Sequence, residues 1–118
     1  MMMVDPGVVV RVEAISNYSR IYFSNGKTLV VAKVLRWFEE AVGDKRFFRV
    51  HRTHLVNSSF IKEYIQNPVR PEGGGTLFLT NGDRIEVSKR RRSLFLKSWY
   101  EPMPHSGTPV QYGPSVMP

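Results

Sequence analysis

Two Asn-Gly dipeptides, Asn25-Gly26 and Asn81-Gly82, constrain this chain more than any other feature. Each lies between short runs rich in β-branched and aromatic residues. Arg20-Ile21-Tyr22-Phe23 and Thr28-Leu29-Val30-Val31 flank the first. Thr76-Leu77-Phe78-Leu79-Thr80 and Arg84-Ile85-Glu86-Val87 flank the second. Asn-Gly between such runs is the strongest short-range signal for a hairpin, because glycine takes the positive φ a tight reversal needs. The chain is thereby committed to antiparallel β structure in both halves.

Other runs extend that pattern. Val8 to Ile15 is β-branched and too short for a helix of this composition, so it reads as a strand. Ser16-Asn17-Tyr18-Ser19 breaks it with turn formers, and a short polar tip is expected from Asn17 to Arg20. Phe60 to Ile65 is a further strand, and Asn67 to Gly75, with two Pro and three consecutive Gly, is expected to be a mobile loop. That Gly run lacks the Lys-Ser/Thr and the following helix of a phosphate cradle. Between Ala32 and Val42 the period changes. Val34, Leu35, Phe38 and Val42 share one face, with Lys33, Arg36, Glu39 and Glu40 on the other, so an amphipathic helix covering the sheet is expected to end at Gly43.

The stretch Phe47-Phe48-Arg49-Val50-His51-Arg52-Thr53-His54-Leu55-Val56-Asn57 interleaves core-forming residues with hydrogen-bond donors. A strand with Phe48 and Val50 on one side and Arg49 and His51 on the other anchors its apolar face and displays its polar one. Arg52-Thr53-His54 then falls on a short turn held by Leu55 and Val56, where a rigid scaffold can present donors to a partner. A half-buried strand with a solvated face accounts equally for these residues alone.

Charge favours a partner. The net charge is +7, and Lys45 to Lys97 holds twelve basic and four acidic residues, a balance of +8. A basic segment beside a near-neutral one suggests a polyanion-binding face. Ser88-Lys89-Arg90-Arg91-Arg92 opens a short helix with Ser88 as its N-cap and Leu94, Phe95 and Trp99 on one face. Cations at a helix N-terminus oppose the macrodipole, whereas a phosphate bound there would face both them and the free N–H groups. An anionic membrane surface is a weaker partner for this charge, since it calls for a basic amphipathic helix with exposed apolar bulk.

With these pieces in place, the chain resembles the LytTR family of bacterial DNA-binding domains. Within Phe48 to Asn57, Arg49 to Asn57 is similar to the R-V-H-R-S-Y-L-V-N that closes the family's F-x-R-V-H-R-S-Y-L-V-N. Asn81-Gly82 with Ile85 to Arg90 is similar to N-G-x-x-I-P-V-S-R-R, and Glu13-Ala14 with Asn17-Tyr18 to E-A-x-x-N-Y. Thr53, His54 and Glu86 stand where the family has Ser, Tyr and Pro, and the family's first strand has no counterpart before Val8. Most members follow a receiver domain, and none is expected within these 118 residues.

The resemblance implies a mainly β fold of short antiparallel sheets and hairpins, with one amphipathic helix and a short C-terminal helix. It implies a cytoplasmic transcriptional regulator that binds duplex DNA by loops entering two successive major grooves, with a homodimer on repeated half-sites as a further expectation. Carried over by position, the base readers are Asn17, Ser19, Arg20, Arg52, Lys89 and Arg90, and the chemistry fits: Arg and Lys bond guanine, Asn pairs with adenine. His51, Thr53, Arg91 and Arg92 fit phosphate contacts that set register. Asn57 is assigned to tying down the turn. The expected organisation is an N-terminal extension over 1–7, the DNA-binding domain over 8–100 with a single core, and a disordered Pro-rich tail over 101–118.

Other function classes are less well supported. No stretch approaches the ~20 apolar residues of a spanning helix, and without Cys there is no disulfide or thiolate metal site. His51 and His54 lack neighbouring carboxylates, and no nucleophile–base pairing stands out, so neither a metal or other cofactor nor enzymatic activity is expected. The alternative is a basic protein- or RNA-interaction module. RNA readers show paired exposed aromatics, and Phe47, Phe48, Phe78 and Phe95 all have core assignments here.

Overall fold

A computed structural model describes residues 5–43 and 45–100. The expected tail, 101–118, lies outside the described residues. The chain divides into two compact units, Met1–Phe60 and Ile61–Pro118, where the sequence suggests one core.

The first unit is a five-stranded antiparallel sheet. Its strands are β1 (Val9–Ile15), β2 (Tyr18–Phe23), β3 (Thr28–Val31), β4 (Phe47–His51) and β5 (His54–Asn57), in the order β3-β2-β1-β5-β4. Strand alternation puts Val12, Ile21 and Leu55 on one face, where Leu35 and Phe38 of helix α1 (Leu35–Val42) complete a buried cluster. The helix covers the sheet as its periodicity requires, and Gly43 ends it in the left-handed conformation at φ 54°. It starts three residues later than expected. Lys33 O is taken by the Ser19 hydroxyl, and Val34 is still extended, so the helical bonds begin only at Trp37 N–H to Val34 O.

Pro6–Val8 form a 3-10 turn, where Pro6 and Gly7 are expected in an N-terminal extension and Val8 in the first strand; residues 1–4 of that extension lie outside the described residues. Asp5 Oδ1 caps it at Gly7 N, 2.8 Å away. Asn57, fully buried at the end of β5, fastens it from the strand beside β1: Nδ2 donates to Val9 O at 2.9 Å and to Pro6 O at 3.4 Å, while Oδ1 accepts from Ser59 N at 2.9 Å.

The second unit is a three-stranded antiparallel sheet, β6 (Ile61–Gln66), β7 (Gly74–Leu79) and β8 (Arg84–Ser88), followed by helix α2 (Lys89–Tyr100). Tyr64, Leu77, Ile85, Val87 and Phe95 are buried, and Trp99 stacks on Phe95 with centroids 5.4 Å apart. Leu94 is a correction: it is 68% exposed, so Phe95 rather than Leu94 anchors the helix.

Both Asn-Gly turns form, and both are three-residue reversals in which glycine alone carries the positive φ. Gly26 (φ 88°) and Gly82 (φ 96°) donate to Phe23 O and Leu79 O, each at 2.9 Å. The segment after β6 is also more ordered than its composition suggests. Asn67 Oδ1 accepts from Val69 N and Arg70 N, residues 71–73 make a 3-10 turn, and Gly74 and Gly75 already belong to β7.

Candidate nucleic-acid interface

Two basic surfaces arise, one on each unit. On the first, the β1–β2 turn at Ser16-Asn17 and the β4–β5 turn at Arg52-Thr53 lie at the same end of the sheet, because β1 pairs with both β2 and β5 through its last residues. Glu13 is opposite Arg20 on one side and His54 on the other, and Ala14 N donates to Thr53 O at 2.9 Å. Asn17 and Arg52 are exposed, and Ser16 reverses the chain in the left-handed region at φ 58°. Arg20 and His51 are half-buried.

The Arg52 turn is braced from within. Arg49 donates from Nε to His51 O at 3.0 Å, from one terminal nitrogen to Arg52 O at 2.5 Å, and from the other to Glu39 Oε1 of α1 at 2.6 Å. On the other side of the turn, His51 Nδ1 accepts from Thr53 N at 3.2 Å and lies 2.9 Å from Thr53 Oγ1. Acceptance at Nδ1 places the proton of the neutral ring on Nε2. The His51 and His54 rings do approach, with centroids 5.3 Å apart. No group of three or more metal-ligating side chains occurs among the described residues, however.

Ser19 is the exception among the expected base readers. The tip is only Ser16-Asn17, so Tyr18 and Ser19 are already in β2. Ser19 is 0% exposed, and its hydroxyl donates to Lys33 O at 2.6 Å. Its part is to tie β2 to the entry of α1.

On the second unit, Ser88 Oγ accepts from Arg91 N at 3.3 Å, the bond of an N-cap serine. The cap fixes where the helix begins, and Lys89 and Arg90 are therefore exposed on its first turn. Arg91 and Arg92 are half-buried. Arg92 is more constrained than a solvated arginine would be: its guanidinium donates to Pro71 O, which also accepts from Gln66 Nε2 at 2.7 Å.

Sequence reasoning missed Arg49 and Glu39. The alternation of β4 placed Arg49 outward, but its acidic partner lies ten residues back, on a different element. No local pattern joins the two.

Cations displayed on turns and on a helix N-terminus of a β scaffold define a polyanion-binding domain. The LytTr DNA-binding domain family matches residues 1–99, and this chain belongs to that family. It is accordingly a DNA-binding domain serving transcription regulation, of a family that is not one of enzymes. Among solved structures it is similar to the LytTr DNA-binding domain of a protein described as a methyl-accepting/DNA response regulator from Bacillus cereus. That likeness has 22% identity and a TM-score of 0.69, and it covers 83% of this chain and 85% of the other. No curated protein sequence matches. No helix among the described residues is long and apolar enough to cross a membrane.

Proposed function

We propose that this chain reads duplex DNA sequence-specifically, as a cytoplasmic bacterial transcriptional regulator that pairs as a homodimer on repeated half-sites. Asn17, Arg20 and Arg52 meet bases from the first unit, and Lys89 and Arg90 from the second. His51, Thr53, Arg91 and Arg92 contact phosphates and set register. Ser19 drops out of the readers because it is buried.

The observation that carries this reading is Arg52: an exposed guanidinium on a two-residue turn whose carbonyl is clamped by Arg49. Bidentate recognition of guanine O6 and N7 requires aim, and a braced turn supplies it. A phosphate contact needs only reach.

Duplexes selected from random DNA test the proposal when affinity is measured against salt. The slope of log K against log salt should be about −0.9 for each phosphate neutralised. Arg52→Ala should cost about 1–3 kcal/mol on the selected duplex and much less on a random one. A flat salt response, or binding to single strands as tight as to duplex, would remove duplex reading.

A further inference from the structure

We propose that Arg49 is the positioning residue for base recognition by Arg52, held in place by Glu39 of α1; this rests on the reading that Arg52 meets a base. Arg49 itself has no need to touch DNA. Its planar fork bonds two consecutive carbonyls, His51 O and Arg52 O, which enter and begin the turn. Fixing two successive peptide planes fixes the Cα–Cβ direction of Arg52 between them. A lysine in its place, with one flexible ammonium, does not reproduce that fork.

The same contact has an electrostatic effect. The two carbonyl oxygens carry partial negative charge beside a surface that would meet phosphates, and the guanidinium covers both. Glu39 balances the cation, with Arg49 and Glu39 side chains 17% and 35% exposed. The pair is neutral as a unit, so it displaces no counterions from DNA. This separates positioning from phosphate anchoring, because only an anchor moves the salt slope.

The experiment uses the full chain and salt titrations on a selected and a random duplex. Arg49→Gln is expected to weaken the selected duplex about tenfold, leaving the random duplex and the salt slope unchanged. Arg49→Lys should not restore the preference. Glu39→Gln, which keeps an acceptor but removes the counter-charge, should lose about threefold on the selected duplex. In an Arg52→Ala background, Arg49→Gln should have no further effect on preference.

Equal loss on both duplexes with a slope shallower by about one unit would make Arg49 a phosphate contact and overturn the inference. Full preference in Arg49→Lys would do the same. Thermal melts check each variant; if Arg49→Gln fails to fold, Arg49→Lys and Glu39→Gln decide the matter. Should Arg52→Ala leave preference intact, the assignment of Arg52 as reader fails. Should Arg52→Ala abolish preference while the Arg49 and Glu39 variants keep it, only the positioning role fails.

Discussion

The Ser19 hydroxyl donates to the backbone carbonyl of Lys33 at 2.6 Å, joining the second strand of the sheet to the segment that leads into α1. One buried oxygen therefore spans fourteen residues of chain and sets where the covering helix begins.

Ser19→Ala removes the donor and leaves Lys33 O without it. A loss of about 1 kcal/mol is expected, seen as a lower denaturant midpoint with an unchanged slope. Duplex preference should hold once the protein is folded. A selective loss of the preferred duplex, with stability intact, would return Ser19 to the base readers.

Asn57 has a larger share in the fold. It is fully buried and its amide bonds Val9 O, Pro6 O and Ser59 N, so Asn57→Ala strands three backbone groups at once. About 2–4 kcal/mol of destabilisation is expected. Asn57→Asp should not rescue it, because a carboxylate cannot donate to Val9 O. Chemical denaturation of the two variants measures this, and near-wild-type stability in either one contradicts the assignment.

Gly75 carries a requirement that composition disguises. A Cβ there would lie 2.4 Å from Ile65 O and 2.6 Å from the Tyr64 hydroxyl oxygen. Gly75→Ala must separate β7 from β6 or displace the buried Tyr64, and about 3 kcal/mol or more is expected to be lost. Gly73→Ala, whose nearest contact would be Arg70 Cβ at 3.5 Å, should be tolerated. Thermal melts of the two variants side by side provide the comparison.

Arg92 tests the difference between anchoring and reading. Its bond to Pro71 O leaves other donors on the same guanidinium for a phosphate. Arg92→Ala is expected to weaken selected and random duplexes about equally and to make the salt slope shallower by about one unit. The bond to Pro71 is exposed, so stability should fall by about 1 kcal/mol at most. A loss confined to the selected duplex would make Arg92 a reader.

The sequence by itself determined the elements. Local rules suffice for the two Asn-Gly hairpins, the amphipathic face of Leu35, Phe38 and Val42, and the Ser88 cap, because each depends on residues within a turn or two. Val34, expected on that face, is instead extended and 52% exposed ahead of the helix. The donor-rich Phe48 to Asn57 stretch and the cation run at Lys89 to Arg92 were legible for the same reason. What only the tertiary structure decided involves partners distant in the chain. Ser19 looked like a loop residue until Lys33 claimed its hydroxyl. Gly74 and Gly75 looked like flexible linker until strand pairing showed backbone and Tyr64 occupying the space of a side chain. Arg49 looked like another surface cation until Glu39 and the carbonyls of the Arg52 turn fixed it. Spacing along the chain encodes which face a residue takes. Which atom it meets there is set by elements brought together only when the sheet closes.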